Sequence, residues 1–267
     1  MSTIRDRLWL WGHETGSHDH GWNLPAASHI TPVEATHYLG ISNLMMVRYG
    51  PQPLPLDRTC ILPFRDLTQL VWSVVGAGGT HHGDELEQVL HLPELLPNLT
   101  GVIMDDFFRR DDTGSEVGVL PLDRLTQLRR RLSRPEKPLK LYVVLYDHQL
   151  DLHTGEYLQL CDKLTYWTWE AQNLRHLEEN FALMEGLAPK SCGKLLGCYL
   201  WDYGGKQPMP IAAMQHQCEL GLEWLRQGRI EGMIFLASCI CDLGLDSVEW
   251  TRRWIDAVGK EPLLDRI

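Results

Sequence analysis

Carboxylates, imidazoles and indoles recur in this chain just after short apolar runs. They appear in Gly12-His13-Glu14, Arg48-Tyr49-Gly50, Asp105-Asp106-Phe107-Phe108, Tyr146-Asp147-His148, Trp167-Thr168-Trp169-Glu170 and Trp201-Asp202-Tyr203-Gly204-Gly205. Breaking a glycosidic bond needs two things of this kind: a pair of carboxyl groups, and flat aromatic walls against which a sugar can stack. Asp105 or Asp106 can supply one carboxyl, and Glu170 or Asp202 the other. Strand alternation lets only one of Asp105 and Asp106 point fully inward, and Asp106 is taken as that residue. Trp11, Trp169 and Trp201 offer stacking surfaces, and Tyr203 would help shape the sugar site. His13, Glu14, Arg48 and His148 can bind hydroxyls or a substrate carboxylate. A single Asp at a strand end can equally be an N-cap or an ion-pair partner. The cluster says more than any member, because gathering several carboxyls on one rim is costly without a compensating role.

The histidines open a second chemistry. His13, His18, His20, His81, His82 and His148, with Asp19, Asp105, Asp147 and Glu170, contain the ligand types of an imidazole–carboxylate metal site. Within that set His18, His20 and His81 form the alternative divalent-metal ligands, since His18-Asp19-His20 can place both imidazoles on one side of an extended segment. That reading makes the protein a metal-dependent sugar isomerase, epimerase or lyase. A third reading is a non-catalytic sugar-binding barrel. The carboxylate-pair reading needs no cofactor. Schiff-base chemistry finds no lysine at a strand C-terminus, since Lys140, Lys163 and Lys194 fall at strand starts. Gly204-Gly205-Lys206 makes a poor phosphate cradle beside Pro208 and Pro210. Ser238 and Cys239 have no activating base fixed beside them, so they read as buried small residues.

The elements that must position these residues are eight apolar runs: Leu8–Gly12, Asn43–Val47, Gln69–Val75, Gly101–Met104, Lys140–Leu145, Lys163–Thr168, Leu195–Leu200 and Gly232–Leu236. Several, such as VWSVVG and LYVVLY, are apolar throughout, which suits parallel strands buried on both faces. Amphipathic stretches separate most of them. Thr31-Pro32-Val33-Glu34 is a capping box with proline at the first helical position. Helices are expected over Asp57–Leu67, Asp84–Leu96, Pro121–Leu132, Thr154–Cys161, Asn173–Leu187, Pro210–Gln227 and Asp246–Val258. The long segments Glu14–Ile30 and Arg109–Leu120 read as loops on the catalytic rim. This pattern predicts an α/β fold, a single (β/α)8 TIM barrel. Such a barrel takes about 250 residues, so one domain accounts for residues 1–267.

The net charge of -10 argues against nucleic acid or an anionic membrane as the main partner. A small molecule or oligosaccharide is the expected partner instead. The seven cysteines include no pair with zinc-type spacing and read as free thiols. The N-terminus lacks a long apolar core of the secretory type, and no apolar run reaches the roughly 20 residues of a membrane span. A cytoplasmic location is expected.

The segments Trp9–Glu14, GVIMDDFF (Gly101–Phe108), WTWE (Trp167–Glu170) and WDYGG (Trp201–Gly205) together resemble (β/α)8 barrels of the glycoside hydrolase type, in particular bacterial proteins of uncharacterised function. In the large retaining superfamily of such barrels the acid/base follows strand 4 and the nucleophile follows strand 7. The resemblance therefore implies Asp105 or Asp106 and Asp202 for these roles. That superfamily uses glutamates with an Asn before the first of them, whereas Met104 stands here. Another group places an aspartate nucleophile after strand 4 and an acid after strand 6, which implies Asp106 and Glu170.

Overall fold

A computed structural model describes residues 2–50, 58–83, 85–110, 116–134 and 137–263. Its principal strands are β1 (Leu8–Gly12), β2 (Asn43–Met46), β3 (Gln69–Val75), β4 (Leu99–Met104), β5 (Lys140–Tyr146), β6 (Lys163–Trp167), β7 (Gly193–Tyr199) and β8 (Gly232–Leu236). They close into a barrel in the order β1-β8-β7-β6-β5-β4-β3-β2, the (β/α)8 fold expected from the eight runs. Every residue of β1, β2 and β8 is buried, as continuous apolar strands between a filled interior and a helical layer require.

The chain divides into two compact units. One comprises Met1–Leu44, Trp167–Glu178 and Lys194–Ile267; the other comprises Met45–Tyr166 and Glu179–Gly193. In the first, β1 pairs in parallel with β8 from Leu8↔Met233 to Trp11↔Leu236, and β8 pairs with β7 from Gly232↔Leu195 to Leu236↔Tyr199. Gly197 lets the Trp167 ring lie flat against β7, because a Cβ there would fall inside the indole. In the second, β4 pairs with β3 and β5, and the β3–β4 register shifts between Ser73 and Val75. Beyond that shift the Asp105 amide donates to the Val75 carbonyl at 3.0 Å, which fixes the exit of β4.

The helices follow local chemistry. In α1 (Pro32–Leu39), the Glu34 amide donates to Thr31 Oγ1 at 3.2 Å and the Thr31 amide to Glu34 Oε2 at 2.9 Å, completing the capping box. Gly40 ends this helix at φ 68°, the left-handed position that glycine tolerates best. Two of the expected helices are short: α2 (Arg58–Ile61) and α3 (Glu85–His91). The positions Asp57 and Asp84 lie outside the described residues. Leu125, Leu128 and Leu132 bury one stripe of α4 (Leu122–Leu132). The remaining helices are α5 (Gly155–Leu158), α6 (Leu177–Leu187), α7 (Ile211–Arg226) and α8 (Asp246–Val258).

Two short hairpins lie outside the barrel, one of them largely within the segment Arg109–Leu120 that reads as a loop. Phe108–Arg110 pairs with Glu116–Gly118, and Trp201–Asp202 with Gln207–Pro208. Both are too short for a period-2 signal to stand out. The helix expected from Asn173 begins earlier, as a 3-10 turn over Ala171–His176 that precedes α6. All seven cysteines are free thiols, as expected. Among the described residues no helix is long and apolar enough to cross a membrane.

Candidate functional site

Each unit carries one cluster of the residues singled out in the sequence. In the second unit the centre is Asp105-Asp106. Asp105 is buried, and Asp106 is the more accessible of the two. The Asp106 backbone sits at φ 46°, a left-handed conformation uncommon outside glycine. Its amide donates to Asp105 Oδ1 at 2.9 Å, Tyr146 OH donates to its Oδ1 at 2.7 Å, and the Gly78 amide donates to its Oδ2 at 2.7 Å. Gly78 and Gly79 take φ of 69° and 65°. A Cβ on Gly79 would stand 2.8 Å from both the Asp106 carbonyl and Val119 Cγ2, so only glycine lets this turn wrap the carboxylate.

Burial first, and the neighbouring Asp106 carboxyl second, push Asp105 well above the ordinary carboxylate range. Hydrogen bonds from the Asp106 amide and Tyr146 oppose this without cancelling it. Asp105 is therefore a carboxyl that holds its proton where an exposed one would not. Adjacent groups in environments of this contrast are the arrangement that divides acid from base roles. His148 stacks on Tyr146 with ring centroids 5.3 Å apart and lies 57% exposed.

Arg48 belongs to the same unit but not to a hydroxyl-binding surface. Its guanidinium is wholly buried and bonds Glu85 through Nε at 2.8 Å and Nη2 at 3.2 Å. Nη1 donates to the Gly50 carbonyl at 2.6 Å and Thr80 Oγ1 at 2.9 Å, and Nη2 to the Thr80 carbonyl at 2.7 Å. These bonds use all five guanidinium N–H groups. The substrate-binding role expected of Arg48 is therefore replaced by an internal one: it ties the exit of β2 to the Gly76–Thr80 turn. Glycine is required at position 76, where a Cβ would lie 2.6 Å from the Arg48 carbonyl.

The first unit holds the aromatic residues. Trp11 Nε1 donates to His13 Nε2 at 3.0 Å, which places the neutral His13 proton on Nδ1. The His13 amide donates to Ser238 Oγ at 3.1 Å, and that hydroxyl donates back to the His13 carbonyl at 3.2 Å. His18 Nδ1 meets Tyr203 OH at 2.9 Å, and the His13 and His18 rings lie 5.0 Å apart. Trp11 and Trp201 are almost fully buried, at 1% and 2% exposure. They are therefore interior packing rather than the stacking surfaces expected. Trp169 is half-buried and faces Trp22 at 6.1 Å. Trp22 carries no strand-end signal and was not singled out in the sequence. Trp201 Nε1 donates to its carbonyl at 3.1 Å, its ring meets Tyr203 at 5.1 Å, and Lys206 Nζ sits 5.7 Å from the ring centroid. Glu14 is half-buried beside this group in sequence.

Asp202 is buried and saturated. Its Oδ1 accepts from the Ala171 and Gly205 amides, both at 3.1 Å, and its Oδ2 from Gln207 Nε2 at 2.9 Å. It thereby joins the start of the Ala171–His176 turn to the 201–208 hairpin. Glu170 is half-buried and bonds the Gln172 amide at 2.5 Å. Together with Asp202, Gln207 and Pro210 it lines a cavity of about 300 Å³. Cys239 is buried, and burial pushes its thiol up to about 12, far from a reactive thiolate. Among the described residues no group of three or more His, Cys, Asp or Glu side chains is arranged to hold a metal ion.

His18 supplies a pH-dependent prediction. Burial, and then His13, hold its pKa well below the usual 6.5. Below pH 6.5 the unfolded chain takes up a proton that the folded protein refuses, so this stability is present above pH 6.5 and lost as pH falls toward the lowered value. The slope for one proton is at most about 1.4 kcal/mol per pH unit. Urea unfolding between pH 7.5 and 5.5 is expected to show a smaller loss of stability for His18→Gln than for the wild type. Equal slopes would show that His18 is not the linked group.

Comparison with known proteins adds the architecture. No family model matches the chain, and no curated protein is similar to it. Among solved structures, a candidate chitinase A from Streptomyces coelicolor is similar at 12% identity, TM-score 0.57, over 96% of this chain and 100% of that one. The fold is that of a (β/α)8 barrel. The tryptophan synthase alpha subunit of Legionella pneumophila is similar at 11% identity and TM-score 0.52, over 95% of this chain and 94% of that one. An FMN-binding beta-glucuronidase from Facaelibacterium prausnitzii L2-6 is similar at 10% identity and TM-score 0.50 over 89% of this chain, which spans 40% of that protein's length. At these identities the likeness concerns the backbone alone.

Proposed function

We propose that this protein is a carbohydrate-active enzyme of the glycoside hydrolase type, acting on a glycoside or oligosaccharide. The observation that carries the reading is the Asp105-Asp106 pair. A left-handed backbone presents the Asp106 carboxyl to Tyr146 and Gly78, while burial raises the pKa of the neighbouring Asp105. Non-glycine residues held in that conformation cluster at functional sites, because the surrounding structure must over-determine them. Asp106 acts as acid/base or nucleophile. Asp105 tunes it as an adjacent buried carboxyl that gives up its proton less readily. Two of the structural neighbours are named for carbohydrate substrates, which supports the choice of this reading over others open to the fold.

Of the two further acids, Glu170 is proposed to act in turnover and Asp202 to hold the loop that presents it. The engagement of both Asp202 oxygens supports this division. Glu170→Gln is expected to lower kcat by roughly 10²-fold or more with a small change in Tm. Asp202→Ala is expected to lose about 1–3 kcal/mol of stability by stranding buried donors. Release of aryl alcohol from a panel of aryl glycosides, with urea unfolding alongside, measures both. Full turnover by Glu170→Gln would remove it from the chemistry. Absence of turnover across aryl glycosides and oligosaccharides, with saturable sugar binding, would replace the enzyme by a sugar-binding barrel.

A further inference from the structure

A cavity of about 450 Å³ opens in the second unit, lined by Val74 of β3, His81–Gly83, Leu86 and Glu87 of α3, Val119–Pro121, and Arg124, Gln127, Leu128 and Arg131 of α4. That volume falls in the range of small-molecule sites, about 300–1,000 Å³. We infer that this cavity binds a compact organic anion: a carboxylate or phosphate head on an apolar body. Its lining includes none of the proposed catalytic residues, and the inference does not depend on their assignment.

Three observations carry this. First, the cavity has two chemically distinct parts. Val74, Leu86, Val119 and Leu128 are apolar, whereas Arg124, Arg131 and Glu87 bring charge to the same wall. Second, those cations differ in how they are used. Arg131 is paired with Glu87 through both guanidinium nitrogens, which raises the Arg131 pKa and lowers that of Glu87. Arg124 makes no hydrogen bond or ion pair among the described residues. An exposed arginine on a helix is ordinarily just solvated; here it borders a concavity, where a planar carboxylate can engage its fork. Third, His82 Nε2 is shut off from solvent without a hydrogen-bond partner. A stranded polar atom of this kind costs stability. The ring is half-exposed and lines the cavity.

The walls are fixed in advance. The Val119 amide donates to the Phe107 carbonyl at 2.9 Å, and the His82 amide donates to Glu85 Oε2 at 3.3 Å. A ligand therefore meets a formed surface and loses little to ordering it.

The test is titration of the whole protein with benzoate, benzyl alcohol and inorganic phosphate, followed by calorimetry and amide chemical shifts. Benzoate is expected to bind saturably, with shifts concentrated at residues 81–88 and 119–131. Arg124→Gln is expected to weaken benzoate about ten-fold or more, the scale of one lost charge-assisted hydrogen bond. His82→Ala, a second variant, is expected to weaken it as well. Benzyl alcohol lacks the charge and phosphate lacks the apolar body, so each is expected to bind at least about ten-fold more weakly than benzoate. No saturable benzoate binding, an unchanged affinity in Arg124→Gln, or benzyl alcohol or phosphate equalling benzoate would each overturn the assignment. Activity on glycosides plays no part in these readings, so failure here leaves the proposed reaction standing, and the converse holds.

Discussion

Replacing Asp106 by Asn is expected to lower turnover by roughly three orders of magnitude, the scale of losing a positioned acid–base group. The fold should tolerate it. An Asn side chain can still accept the Gly78 amide through Oδ1, and its amide can donate to the Tyr146 hydroxyl, which accepts as well as it donates. The melting temperature is therefore expected to move by no more than about 2–4 °C, the shift of about 1 kcal/mol in a chain of this size class. The left-handed backbone is also preserved, because Asn is one of the few residues that adopts it readily. Rates on the best aryl glycoside and a thermal melt of the same sample decide the matter. Unchanged turnover would sink the assignment of Asp106. A collapse of the melt would mean that Asp106 holds the turn together and that the chemistry lies elsewhere. Asp105→Asn gives a complementary reading: if the proton on Asp105 serves the reaction, the alkaline limb of the kcat–pH profile should disappear in that variant.

Arg48→Met is expected to be the most destabilising single change, by about 3–5 kcal/mol, because it leaves the Glu85 carboxylate buried without its counter-charge. The Gly50 and Thr80 carbonyls lose their donors at the same time. Glu85→Gln in the Arg48→Met background should recover part of the loss, since the stranded charge is then gone. The effect should also reach Asp106. The Gly76–Thr80 turn rests on Arg48 at one end and supplies the Gly78 amide to the carboxylate at the other. Urea unfolding of the single and double variants measures the first effect. A loss under about 1 kcal/mol in Arg48→Met would show that the pair is nearly neutral and that the turn is held by its other contacts.

How far the sequence could be read follows from which interactions are local. The eight strands and most helices were legible because parallel strands buried on both faces are apolar throughout, and because caps such as Thr31–Glu34 lie within one turn. The positions of the strand-end acids followed from strand periodicity alone. The functions of individual side chains did not. Arg48 looked like a rim cation because its partners, Glu85 and Thr80, lie 37 and 32 residues away. Trp11 and Trp201 looked like sugar platforms, yet both are buried against neighbours distant in sequence. Trp22 offered no periodic signal at all, since it sits in an irregular segment.

The amino-acid order by itself determined the barrel, the free thiols and the places where acids leave the strands. Only the tertiary structure decided that burial raises the pKa of Asp105 while Asp106 accepts two donors, that Asp202 ties a loop, and that Arg48 is a strut. The reason is physical. Propensity, capping and periodicity act over a few residues, whereas burial, charge pairing and hydrogen-bond saturation depend on groups that only the folded chain brings within reach.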